Sequence, residues 1–292
     1  MTKKIAPSEL ILNTDGSIFH LHLKPGQIAR DIILVGDPGR VEMIAAFFDE
    51  IEVKAQNREF VTVTGRYKGK RITVLSTGIG TDNIDIVVNE LDALVNIDLE
   101  TREIKSDKTS LNLIRIGTSG ALQADIPVDA FLISLKAIGF DGLMNFYARR
   151  EEFADMEFEN AFKSYTNWNP LLASPYVVDC NIGLYNKITD SDFISGITIS
   201  APGFYGPQGR ELRLNIIDRQ INDKIEAFRF GEMKITNYEM ECSAIYGLSK
   251  LLGHQALTVC IIIANRISLG ASSDYKPVMN RLVIKILDKL TQ

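Results

Sequence analysis

The sequence predicts an α/β protein with a central mixed or parallel sheet covered by helices, folded as one domain over residues 1–292. Two patterns lead to this. Several short runs are almost continuously apolar and rich in β-branched residues, as strands covered on both faces are. Between them lie longer stretches whose apolar residues recur every three to four positions, the period of a helix with one buried face. Their alternation points to a sheet sandwiched by helices. No repeat and no Pro/Ser-rich linker divides the chain, so one domain is favoured over the two that its length would allow.

Taken in order, Asp31–Val35 reads as a strand entering the turn Gly36-Asp37-Pro38-Gly39-Arg40, and Arg40–Glu50 as a helix. Arg71–Ser76 is a strand before Thr77-Gly78-Ile79-Gly80, followed by a helix over Asn83–Asn96. Asp98–Ser110 carries charges of both signs and reads as an exposed loop or helix extension. Leu111–Ile116 is a strand ending in a third glycine turn, Gly117-Thr118-Ser119-Gly120, and Ala130–Leu135 is another. Later come the strands Ile197–Ser200 and Leu257–Ala264 and the helices Arg210–Phe228, Tyr238–Leu252 and Lys276–Leu290.

Composition excludes several classes. With 46% hydrophobic and 24% charged residues, the chain is neither disordered nor fibrous. Lys plus Arg total 32 against 37 Asp plus Glu, a net charge of −5, so no general basic field draws nucleic acid or a membrane surface. An anionic ligand therefore requires a local cluster. The longest apolar run, Ala256–Ala264, is about half of the ~20 residues a spanning helix needs. Cys180, Cys242 and Cys260 are odd in number and lack metal-type spacing, which reads as free thiols. The N-terminus lacks the continuous apolar core of a signal peptide, and a reducing, cytoplasmic location is expected.

Three strands running into glycine turns suggest one crevice, because backbone N–H groups and helix N-termini at the carboxyl ends of strands bind anions. None of the turns matches a dinucleotide or P-loop motif. Arg115 lies inside the apolar strand LNLIRIG. A buried guanidinium is costly unless it meets an anion, so it requires a carboxylate partner or a bound anionic ligand, and the adjoining glycine turn favours a ligand such as phosphate. Gln208 and Arg210, in the loop FYGPQGR, together offer donors and an acceptor to a planar heterocycle, with Phe204 available to stack on its face. Glu239 and Glu241 open a predicted helix. Two carboxylates there either complement the helix dipole or accept hydrogen bonds from vicinal sugar hydroxyls.

The ordered set VGDPGRVEMIA (Val35–Ala45), REF (Arg58–Phe60), STGIG (Ser76–Gly80), RIGTSGAL (Arg115–Leu122), FYGPQGR (Phe204–Arg210) and NYEMEC (Asn237–Cys242) resembles the nucleoside phosphorylase-I family, most closely its uridine-cleaving branch. The resemblance implies a three-layer αβα sandwich whose mixed sheet forms a distorted barrel, and a homodimer as the minimal unit, alone or as a hexamer of three dimers. It implies that Gly36, Arg40, Arg115 and Thr118 hold phosphate, with Arg58 reaching in from the neighbouring subunit. His20 would approach the ribose 5′-hydroxyl from the partner chain. Glu239, Met240 and Glu241 would hold the ribose, Glu241 on its 2′- and 3′-hydroxyls, while Thr118 would also border the nucleoside. Phe204, Gln208 and Arg210 would bind uracil. Arg266, in the pair Asn265-Arg266, stands where purine-cleaving relatives carry the aspartate that protonates the base.

The implied reaction is reversible phosphate-dependent cleavage of uridine to uracil and ribose 1-phosphate, with Arg115, Gln208, Arg210 and Glu241 as catalytic residues. No metal and no organic cofactor is expected, phosphate being a co-substrate. The family's monovalent-cation site is matched by Glu59 and Ile79, but Asn83 stands at its serine position, which argues against potassium. The alternatives are a purine nucleoside phosphorylase or nucleosidase of the same fold, or a nucleoside-binding module without turnover.

Overall fold

Strand β1 (Asp31–Val35) is buried along its whole length, as its sequence DIILV requires, and passes into helix α1 (Pro38–Ala45). Asp37 caps α1 by accepting from the Gly39 N–H at 2.9 Å, and Pro38 sits in the first turn, where its missing N–H has no partner to lose. A hairpin of β2 (Glu50–Asn57) and β3 (Phe60–Tyr67) leads to β4 (Lys70–Ser76) and then to α2 (Thr81–Asn96). The charged stretch after α2 is a small hairpin, β5 (Ile97–Asp98) with β6 (Glu103–Ile104), rather than a loop or helix extension. Next come β7 (Asn112–Ala121), β8 (Phe131–Gly139), α3 (Met156–Thr166), β9 (Tyr176–Asp179), α4 (Ile182–Ile188) and β10 (Phe193–Ser200). The chain ends with α5 (Ile221–Ala227), β11 (Arg229–Phe230), β12 (Met233–Glu239), α6 (Cys242–Leu252), β13 (Gln255–Asn265) and α7 (Lys276–Thr291). The structure is a computed structural model that describes residues 4–292.

The large mixed sheet runs β2-β3-β4-β1-β7-β13-β8-β10-β12-β11, with β9 added beside β8. Four neighbouring strands, β4, β1, β7 and β13, are mutually parallel, with Leu34 opposite Arg115 and Arg115 opposite Thr258. Strands β8, β10 and β12 form a second parallel block, and β13 meets β8 antiparallel. The sheet then curls until β12 touches the end of β7, pairing Asn237 with Ala121 and Tyr238 with Gly120. This is the distorted barrel, in which only two residue pairs join β12 to β7 and the sheet does not fully close, and helices cover it to give the αβα sandwich. That curl carries Glu239, the last residue of β12, to the strand that holds Arg115.

The main core joins β1, β4, β7 and β13 to α2, α6 and α7. In α7 the residues Val278, Met279, Leu282, Val283, Ile286, Leu287 and Leu290 form the buried stripe that the helical period predicts. A second core gathers Phe140, Phe158, Phe162 and Phe228 around Tyr238. The three cysteines are buried and unpaired.

Several boundaries differ from expectation. The third glycine segment is not a turn: Gly117–Gly120 continues β7, because these residues pair with β13 and β12. Only Ile221–Ala227 of the predicted helix Arg210–Phe228 is helical; the chain before it is irregular, with Asp218 accepting from the Gln220 N–H, and the helix follows Gln220 without a side-chain cap. Tyr238 and Glu239 end a strand, and the following helix starts at Cys242. Strand β2 escaped detection because it is the solvated edge, with charged residues alternating along it.

Helix α6 is tied to the sheet by Tyr246, whose buried hydroxyl donates to the Ser134 carbonyl and accepts from the Thr258 N–H, both at 2.8 Å. Tyr246→Phe strands both backbone groups away from water. It is expected to lower unfolding free energy by ~1–3 kcal/mol in guanidinium titrations.

Candidate active site

Because β4, β1 and β7 are parallel neighbours, the turns that follow β4 and β1 and the far end of β7 open on one edge of the sheet. The first two turns nearly touch: a Cβ on Gly36 would lie 3.4 Å from the Gly78 carbonyl. Gly78 and Gly80 adopt φ +71° and +101°, which other residues rarely do. From α1, the half-buried Arg40 reaches back to donate to the Ile116 carbonyl of β7 at 3.2 Å. Burial, and then the charge of Arg115 nearby, lower its pKa.

Arg115 points to the same face of β7 as Gly117, since side chains alternate along a strand. Its guanidinium lies over that glycine, with Nη1 2.2 Å from where a Cβ would sit, so no larger residue fits. The sequence left two readings for Arg115, a carboxylate partner or a bound anion, and the structure shows carboxylate partners. Nη1 is 3.1 Å from Glu239 Oε2, Nη2 donates to Glu241 Oε2, and Nη1 also lies 3.4 Å from Cys260 Sγ. Burial works against its charge, but Glu241 and then Glu239 outweigh this and raise its pKa above that of an ordinary arginine. Nε is buried without a partner. For Glu239, burial dominates and pushes the carboxyl up to about 7, opposed by Arg115.

A second group gathers around the loop after β10. Gln208 is 3% exposed, and its Oε1 accepts from Arg210 Nη1 at 2.6 Å. With the oxygen occupied, the Gln208 amide offers N–H donors. The Arg210 guanidinium lies 3.9 Å from the centre of the Phe204 ring, which is itself half exposed. Arg266, at the end of β13, donates to the Gln208 carbonyl and, at 3.4 Å, to that of Gly209. Arg266 therefore holds the loop backbone. The loop borders a cavity of about 820 Å³ whose lining includes Arg210, Trp168, Leu171, Leu214 and Ile217.

Thr118 and Met240 are half-buried, on β7 and just before α6. His20 bonds Glu90 through Nδ1 at 2.6 Å, and its carbonyl accepts from Asn57 beside the exposed Arg58 at the β2–β3 hairpin tip. The two residues expected to serve a neighbouring subunit thus share one edge of the molecule. Glu59 and Asn83 both abut Gly78. Among the described residues no cluster of His, Cys, Asp and Glu has the make-up of a metal site.

The glycine turn ending at Gly80, read from the sequence as a source of anion-binding N–H groups, donates from the Gly80 N–H to Glu241 Oε1 at 2.8 Å. Two contributors carry no such reading: Ser200 donates to Glu239 Oε1 at 2.5 Å, and Asn222 donates to the Gln208 carbonyl at 3.3 Å. Of these, only Ser200 has a signal, as a polar residue closing an apolar strand. Asn222 lies in the irregular segment that a helical period misdescribed.

Comparison with known proteins shows the family. The family model described as Phosphorylase superfamily matches residues 30–285. The uridine phosphorylase of Thermococcus kodakarensis is 31% identical over 270 residues, 92% of this chain and 84% of that one. A DeoD-type purine nucleoside phosphorylase of Listeria monocytogenes is 26% identical over 92% of this chain and 97% of its own. Among solved structures, a Trypanosoma brucei nucleoside phosphorylase described as showing uridine phosphorylase activity superposes with a TM-score of 0.84 at 29% identity, covering 97% of this chain and 99% of that one. The chain belongs to the phosphorylase superfamily, and its relatives place it among the pentosyltransferases.

Arg266→Ala removes a charged donor from the Gln208 and Gly209 carbonyls, an interaction of ~1.5–3 kcal/mol. Hydrogen exchange at Gly209 and Arg210 is expected to accelerate by about ten- to a hundredfold, with exchange in β13 unchanged.

Proposed function

We propose that this chain is a pyrimidine nucleoside phosphorylase that cleaves uridine with phosphate to give uracil and ribose 1-phosphate, in nucleoside salvage or catabolism. The observation that carries this reading is the character of the loop cluster. Gln208 presents amide N–H groups and Arg210 its remaining guanidinium N–H groups, a donor set that complements the carbonyl edges of uracil, while Arg266 holds the loop backbone. Arg266 occupies the place at which purine-cleaving relatives have a base-protonating aspartate. The relatives of both specificities leave the base to be decided by assay.

In this scheme phosphate attacks the anomeric carbon as the bond to the base breaks, and the sugar acquires oxocarbenium character. Arg40 and Arg115 orient the nucleophile with Gly36 and Thr118, with Arg58 contributed by a partner subunit, which is catalysis by positioning. Gln208 and Arg210 stabilise the departing uracil anion, each donor contributing ~3 kcal/mol. Glu241 and Met240 hold the ribose, His20 of a second copy meets the 5′-hydroxyl, and Phe204 stacks on the base. The scheme uses no metal, organic cofactor or nucleophilic side chain.

Uridine mixed with the protein is expected to release uracil, followed by its ultraviolet change, only when phosphate is present. Turnover without phosphate, or a higher kcat/KM for inosine than for uridine, would replace this reading with hydrolysis or purine cleavage. Arg115→Ala is a poor test, since it leaves two buried carboxylates without counter-charge at ~3–5 kcal/mol. Arg40→Ala is better: Arg40 is half-buried, and the substitution is expected to raise KM for phosphate by ten- to a hundredfold, roughly 1.4–3 kcal/mol, with KM for uridine nearly unchanged.

Sharing of the site between subunits is tested by mixing Arg58→Ala and Gln208→Ala chains after reversible dissociation. Each is expected to be nearly inactive alone, and the mixture to recover about a quarter of wild-type activity, because in a two-fold dimer one site of each mixed pair is intact. No recovery would place Arg58 outside the partner's site.

A further inference from the structure

The two carboxylates on Arg115 are held unequally. Glu239 accepts from the N–H groups of Glu241 and Cys242, from the Ser200 hydroxyl and from Arg115 Nη1, all parts of strands or of the start of α6. Among the described residues, the Glu241 carboxylate accepts only from Arg115 Nη2 and the Gly80 N–H. That N–H belongs to the glycine turn at the start of α2, on the edge of the crevice. The Glu241 carboxylate therefore lies between a guanidinium and a backbone N–H at a helix N-terminus, a donor pair suited to any oxyanion.

Resting on the reading of this crevice as a phosphate and ribose site, we infer that Glu241 is an exchangeable anion occupying part of the phosphate cradle until nucleoside arrives, whereas Glu239 is a fixed positioning residue that keeps Arg115 in place throughout. Glu239 is enclosed by protein donors, so it acts on the sugar only through Arg115 and Glu241. A phosphate approaching Arg115 meets a guanidinium already neutralised and a carboxylate that repels it. A ribose diol brings two O–H donors, which replace for Glu241 the two donors it gives up. Arg115 Nη2 and the Gly80 N–H are then released to the incoming anion. Nucleoside binding thus tightens anion binding, and by linkage the anion tightens the nucleoside by the same factor.

Sulfate serves as an anion that cannot react with the nucleoside, and its Kd is measured calorimetrically on the intact protein with and without saturating uridine. Uridine is expected to tighten sulfate by about tenfold, within the usual range of coupling between sites, and 2′-deoxyuridine, lacking one hydroxyl, by less. Glu241→Gln is expected to bind sulfate more tightly than wild type without nucleoside and to gain nothing further from uridine. Glu239→Gln is expected to weaken sulfate in both states and to raise KM for phosphate more than it lowers kcat. If uridine leaves the wild-type sulfate Kd unchanged while phosphate-dependent turnover is present, the exchange is overturned and the assigned function stands. If the protein neither binds nor cleaves uridine, both fall. Should Glu241→Gln fail to fold, the wild-type comparison decides alone.

Discussion

Placing the Arg115 guanidinium inside a strand covered on both faces obliges the protein to surround it with counter-charge and with room. Gly117 provides the room, because any side chain two residues further along the same face would collide with the guanidinium. Glu239 and Glu241 provide the charge, and each belongs to a different feature of the fold. Glu239 ends β12 and arrives only because the sheet curls until β12 meets β7. Glu241 opens α6 and ties the arginine to the glycine turn before α2. The curl of the sheet, the start of α6 and the turn before α2 thus converge on one buried charge.

Under the proposed function, the same geometry accounts for an anion site on a mildly acidic chain. Net charge describes the far field, whereas binding in the crevice depends on the local balance between Arg40 and Arg115 on one side and two carboxylates on the other. That balance is close to neutral. The base loop follows a different logic: Arg266 holds the Gln208 backbone, and Arg210 takes the Gln208 side-chain oxygen. Together they set which hydrogen-bonding groups the loop presents.

Much of the fold was legible in local pattern. Strand β1 and helix α7 follow directly from a continuous apolar run and a repeated apolar stripe, and their ends agree closely with the structure. Legibility failed where tertiary contact overrode local preference. Gly117–Gly120 carries turn residues yet runs as strand, because partners on both sides satisfy its backbone. The stretch before α5 carries helix-spaced apolar residues, yet Leu212, Leu214 and Ile217 are exposed beside the cavity rather than packed in a helical face.

The sequence by itself determined the alternation of strand and helix, the three glycine segments, the unusual arginine in an apolar strand and the membership of Gln208 and Arg210 in one loop. These are properties of residues close together in the chain, where period, propensity and the cost of burying a charge act directly. Only the tertiary structure decided what meets Arg115. Arg115 and Glu241 lie 126 positions apart, and Gln208 and Arg266 58 apart. No local rule links such distances; the parallel register of β1, β7 and β13 and the return of β12 to β7 do.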